Sequence, residues 1–179
     1  MPARKANKIV TAFITFGIGI AVCLPQGRAD FGRRKIEARL SGTNEVPANM
    51  SAGTGKFEAR IEGDRIEFEL RYSNVTGTPT MAHIHLGQRG VNGGVFTFLC
   101  GGPRPACPAA PAIIQGTIAA TDILALPTQN LVAGDIAAAI RAIRHGVTYV
   151  NVHTPNSPSG EIRGQVRPDF ELGGRGFDD

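Results

Sequence analysis

The chain is written in short runs in which apolar and polar residues alternate, the period of a strand with one buried face. The clearest is a hairpin. Phe57, Ala59 and Ile61 alternate with Glu58, Arg60 and Glu62, Gly63-Asp64 interrupts, and Ile66, Phe68, Leu70 and Tyr72 resume the alternation. A two-residue loop at Gly63-Asp64 sets Ile61 opposite Ile66, Ala59 opposite Phe68 and Phe57 opposite Leu70, so every apolar side chain lands on one face. On the wet face Arg60 meets Glu67 and Glu62 meets Arg65, whereas Glu58 meets Glu69, a like-charge pair that the register does not explain.

Ile36, Ala38 and Leu40 predict an earlier strand that ends at the Ser41-Gly42-Thr43-Asn44 turn. Further runs over residues 81–86, 95–99, 113–119, 148–154 and 161–166 are separated by Gly, Pro, Asn and Ser. Short strands with frequent turn signals predict a mostly β chain, an antiparallel sandwich or barrel, with a Greek-key-like β-sandwich the expected architecture. One short helix interrupts them over residues 135–144, where Ile136, Ile140 and Ile143 share a face and Gly146 supplies a stop. It begins at Gly134 or Asp135 and lies across one end or edge of the strands. Residues 169–179 have no periodic pattern and read as a flexible tail.

At the other end, Arg4, Lys5 and Lys8 precede an apolar run from Ile9 to Leu24, and Gly27 and Ala29 stand where a signal peptidase reads small residues. Residues 1–29 are therefore expected to be a secretory signal, with the domain over residues 30–168. The apolar run is shorter than the roughly 20 residues of a membrane-crossing helix, so no membrane span is expected in the mature chain. Val22 before Cys23 fits a lipoprotein signal poorly. The destination is periplasmic or secreted.

Composition sharpens this picture at two points. The 19 basic and 15 acidic residues give a formal charge of +4, but four of the basic residues lie in the first 29, and the remainder balances at 15 against 15. A nucleic-acid partner is thereby excluded from the expectations. Loss of the signal also removes Cys23 and leaves Cys100 and Cys107, which in an exported protein are expected to form a disulfide. The ring they close, Gly101 to Ala106, has little of its own to pack with, and closing it is worth roughly 2 to 3 kcal/mol at most.

Four motifs, in order, carry a resemblance to a known family: Leu40-Ser41-Gly42-Thr43-Asn44-Glu45-Val46-Pro47; Ala82-His83-Ile84-His85-Leu86-Gly87 with Asn92-Gly93-Gly94-Val95; Tyr149-Val150-Asn151-Val152-His153-Thr154; and Gly160-Glu161-Ile162-Arg163-Gly164-Gln165. Together they resemble the CHRD domain, named for its repeats in chordin and found also as single-domain exported bacterial proteins. The resemblance covers about residues 33–167. It implies an extracellular β-sandwich and brings no established catalytic activity.

Candidate chemistry rests on the histidines. His83 and His85 project from one face of an extended strand about 7 Å apart, and His153 ends a strand in phase with Tyr149 and Asn151. If the two strands meet, three neutral imidazoles can hold copper or zinc, with Asn151 and Glu161 as outer-shell groups. The pattern is similar to that of the copper and zinc superoxide dismutases, but four histidines are too few for their bridged two-metal site, and no catalytic residue is assigned. Two other readings stay open. The histidines instead bond backbone groups and fix loops, or Glu161 pairs with Arg163 or with a charge on a neighbouring strand. Glu45 is a loop cap near the histidines on the same footing, and His145, at the helix C-terminus, stands apart. The functional alternatives are a metal-binding domain and a metal-free structural or adhesive module with an extracellular protein partner.

Overall fold

A computed structural model describes residues 35–168. The expected signal over residues 1–29, the mature start at Asp30 and the tail over residues 169–179 lie outside the described residues. The elements are β1 (Ile36–Ser41), β2 (Thr54–Glu62), β3 (Arg65–Ser73), β4 (Met81–Leu86), β5 (Gly94–Cys100), β6 (Ala112–Ile118), α1 (Ile136–Arg144), β7 (Thr148–Thr154), β8 (Ser157–Gln165) and β9 (Arg167–Pro168). A mostly β, antiparallel fold with one short helix is therefore present among the described residues. The strands follow one hydrogen-bonded path, β5-β4-β7-β8-β1-β2-β3-β6, with β9 added to β1. Its two end strands, β5 and β6, approach one another, so the sheet nearly closes on itself.

The β2–β3 hairpin has the expected register, Ile61 opposite Ile66 through Phe57 opposite Leu70, around a turn in which Gly63 takes φ 62°. Phe57, Ala59, Ile66, Phe68 and Leu70 are buried and Ile61 packs against them, while Arg60, Glu62, Arg65 and Glu67 face solvent. The Glu58–Glu69 pair also forms, and each carboxylate has its own partners. Lys35 and Lys56 lie 2.8 and 3.0 Å from Glu58 and hold its carboxyl down at about 2. Gln115 and Arg71 do the same for Glu69 in kind.

Asp135 caps α1, its Oδ1 accepting from Ala138 N–H at 2.8 Å, and Ala139, Ile140 and Ile143 turn inward. The sulfurs of Cys100 and Cys107 lie at disulfide-bonding distance, with the α-carbons 5.0 Å apart. The ring between them corrects one expectation, because it does pack. Arg104 reaches out of it to donate to Thr117 O and to pair with Asp122, both at 3.0 Å, with its guanidinium 5.7 Å from the Phe68 ring centroid. A long side chain supplied the contact that the small residues around it lack.

Leu70 is fully buried opposite Phe57, and Leu70→Ala should lower unfolding free energy by about 2 to 5 kcal/mol in a urea titration. Arg60→Ala, on the wet face, should stay within about 0.5 kcal/mol of the parent.

Candidate functional site

The site grows out of one departure from simple amphipathic patterning. Every residue of β7 is buried, so both faces of this strand are covered. Val150 and Val152 join Ala82, Ile84 and Ile162 in the apolar core. The other face carries Tyr149, Asn151 and His153, and the ladders extend it sideways. His83, Asn151 and Arg163 form one row across β4, β7 and β8, and His85, Tyr149 and Gln165 form the next. Loops roof this polar layer. Arg163 donates to Val91 O at 2.7 Å and to Asn92 Oδ1 at 2.9 Å, and Asn49 Nδ2 donates to Glu161 O at 3.1 Å.

The structure brings His83, His85 and His153 together. All three are buried, and one potential ligand atom from each lies within 4.8 Å of the others. His85 Nδ1 is 3.0 Å from Gly93 O and His153 Nδ1 is 3.0 Å from Pro158 O. A carbonyl oxygen only accepts, so both Nδ1 atoms carry the proton, and in the neutral rings both Nε2 atoms present lone pairs. Those Nε2 atoms meet at Asn151 Oδ1, 2.9 and 3.0 Å away, itself an acceptor. His83 Nδ1 lies 3.1 Å from His153 Nε2, and His83 Nε2 is buried without a hydrogen-bond partner. Two Nε2 lone pairs thus converge on an acceptor oxygen, while the neutral His83 ring carries its one proton either on Nδ1, towards His153 Nε2, or on the unpartnered Nε2.

Electrostatics keep the rings neutral. Burial pulls His83 down to about 3, with His153 and His85 adding to the shift. Burial also lowers His85 and His153, against the opposing pull of their carbonyl bonds. Beside them, Tyr149 stacks on His85 with centroids 4.5 Å apart, and the Arg163 guanidinium lies 3.3 Å from the Tyr149 ring centroid. This fixed cation next to the site disfavours a second charge on His85.

The chain matches the CHRD domain family model over residues 36–166. It belongs to the CHRD domain family. No curated protein and no solved structure gives a significant match.

Within this CHRD domain, Asn151 touches two of the histidines and Glu161 touches none. Glu161 is fully buried and accepts from Ser51 Oγ at 2.6 Å, Thr154 Oγ1 at 2.6 Å, and Thr76 N–H and Oγ1 at 2.8 Å each. Burial alone would raise its carboxyl, but these bonds outweigh it and hold the carboxyl below the usual range. The expected pairing with Arg163 is replaced as well, since Arg163 is committed to Tyr149 and to the loop over residues 88–92. Glu45 does lie near the histidines, over Gly160. A Cβ there, where φ is +129°, would stand 2.6 Å from Glu45 Oε1 and 2.9 Å from Asn151 Nδ2, so only glycine fits. Glu45 Oε1 has no hydrogen-bond partner, and burial raises its carboxyl to about 7 despite Arg163 nearby. His145 caps the end of α1, outside the cluster. Sequence reasoning missed the Arg163–Tyr149–His85 stack, although Tyr149 stands in phase with Asn151 and His153.

Glu161→Gln can keep its oxygen on the Thr76 N–H but turns an NH2 onto the Thr76 and Thr154 hydroxyls, which must change from donors to acceptors. The lost charge-assisted bonds should cost about 1 to 3 kcal/mol in urea unfolding. The depressed histidine pKa values set the sign of the acid response in metal-free protein. The unfolded chain takes up protons near 6.5, the folded one only towards 3, so stability is full above about 6.5 and is lost as pH falls. In a series of urea titrations from pH 7 to pH 4, His83→Gln should flatten that slope whatever its effect on the baseline.

Proposed function

We propose that this is an exported CHRD-domain protein that holds one copper or zinc ion with His83, His85 and His153. Residues 1–29 direct export to the periplasm or beyond, and the strands of the described domain are arranged as a Greek-key-like β-sandwich. The observation that carries the reading is the pair of carbonyls, Gly93 O and Pro158 O, that fix His85 and His153 with Nε2 unprotonated and convergent. Metal-binding histidines commonly donate their other ring N–H to such a group, which sets the tautomer before the ion arrives. Imidazole nitrogens suit copper and zinc.

Asn151 Oδ1 stands within 3.0 Å of both Nε2 atoms and is the natural fourth donor. A three-histidine site alone leaves a position open for water or substrate, whereas three nitrogens with an amide oxygen close it. The reading is accordingly one of metal holding, with no catalytic residue assigned. Glu161 serves the scaffold. The second reading, a metal-free structural or adhesive module with an extracellular protein partner, has one observation in its favour. Turned about its amide axis, Asn151 would donate from Nδ2 to both Nε2 atoms and satisfy them without an ion.

Titration calorimetry of chelator-treated protein with copper(II) and zinc should give one site per chain. His85→Ala and His153→Ala should each abolish it, and Glu161→Gln should leave it unchanged if folded. Ligation requires the free base, and burial keeps the three rings in that form below the ordinary histidine range, so affinity should hold as pH drops through 6.5 and fall only at more acid pH. Unaltered binding in both histidine variants would leave the metal-free module standing.

A further inference from the structure

Away from the histidines, the described residues hold a second convergence of like groups. Two depressions of about 190 and 460 Å³ run into one another, sharing Arg89, Gln165 and Arg167 in their walls. Arg39 lines the first and Arg144 the second, with His145 beside it. All four arginines are exposed, and among the described residues none has a carboxylate within 4.0 Å. Glu37 is the one acidic residue in either wall, and its carboxylate is 3.8 Å from Lys35 Nζ. An evenly charged surface intersperses its signs, so four guanidinium groups along one groove with no carboxylate partner among the described residues favour an added counter-charge.

The groove is also built to stay in place. Gln165 Nε2 donates to Gly87 O at 3.0 Å and to Gly146 O at 2.8 Å, tying the loop that carries Arg89 to the turn that follows Arg144 and His145. Arg163 clamps the same loop from beneath at Gln88 O and Val91 O. Arg167 is held by β9, whose Arg167 pairs with Glu37 of β1. Three cation-bearing segments are thus fixed relative to one another before any ligand arrives, which lowers the ordering cost of binding.

We infer that this groove binds an anionic polysaccharide strand. Guanidinium groups match sulfate and carboxylate bidentately. Their spread over two joined depressions suits a ligand with repeated charges better than one inorganic ion, and a channel suits a strand better than a flat membrane. The Cys100–Cys107 pair suits an oxidising compartment, and the choice of a glycan over an intracellular polyanion rests on the proposed export.

The test uses the full chain and a fluorescent dextran sulfate fragment, followed by anisotropy. The parent should bind, and added salt should weaken the complex. Arg89→Ala with Arg167→Ala should reduce affinity about tenfold or more, while Arg60→Ala with Arg65→Ala, on the β2–β3 hairpin and in neither depression's wall, should change it far less. Circular dichroism checks the fold, and Arg89→Glu alone, in an exposed loop, gives the same readout if the double variant misfolds. Equal losses from both pairs would reduce the effect to general charge attraction and overturn the site. So would no binding by the parent, equal binding of uncharged dextran, or polyglutamate binding as tightly as the glycan. A polygalacturonate arm separates carboxylate from sulfate preference within the proposal.

Discussion

A polar layer buried between a sheet and its covering loops must be paired atom by atom, and that requirement organises this CHRD domain. An unpaired buried polar group costs about 1 to 3 kcal/mol, so such a layer tolerates few mismatches. Glu161 shows how strictly the rule is met. Its carboxylate gathers Ser51, Thr76 and Thr154 from three separate stretches of chain, and in doing so fastens two loops onto β8. Arg163 performs the complementary task for the loop over residues 88–92, with Tyr149 beneath it as an aromatic floor. The loops are therefore as well determined as the strands they cover.

Against that background the exceptions stand out. His83 Nε2 and Glu45 Oε1 are buried and unpaired, and Asn151 Oδ1 faces two nitrogens that have no hydrogen to give it. Gln165 Oε1, Thr97 Oγ1 and Thr148 Oγ1 are also buried without partners, but Asn151 is the point at which acceptors converge on one another. Protonation is a poor remedy, because burial and the nearby Arg163 disfavour charge on the rings. The proposed ion answers the same shortage without adding protons, which ties the functional reading to the packing rule that governs the fold.

The sequence made some of this legible and hid the rest for identifiable reasons. In the β2–β3 hairpin one face is core and the other is water, so period-two alternation disclosed the register residue by residue. In β7 the same alternation, Tyr149-Val150-Asn151-Val152-His153, reads as one wet face when it is in fact buried on both. The spacing of His83 and His85 and the phase of His153 still pointed to a cluster, since those follow from strand geometry alone. The destination of Glu161 was invisible, because its partners Thr76 and Ser51 lie 85 and 110 positions away and a hydroxyl carries no pattern. Arg104 escaped notice for a similar reason: its ring was judged by its small residues, and its reach to Asp122 depends on where β6 runs.

β9 adds two residues to β1 on the edge that β8 also pairs, with Ile36 opposite Pro168 and Glu37 opposite Arg167. The first and last strands of the described fold are thus neighbours. A unit whose entry and exit points coincide can be spliced into the surface turn of another protein, or strung head to tail like beads, without stretching its host or leaving a long tether between copies. The same closure would let a circular permutant join the ends at β1 and β9 with a short linker and open new ends in a surface turn elsewhere. Modularity of this kind is a property of topology alone, and it holds whatever the histidines bind.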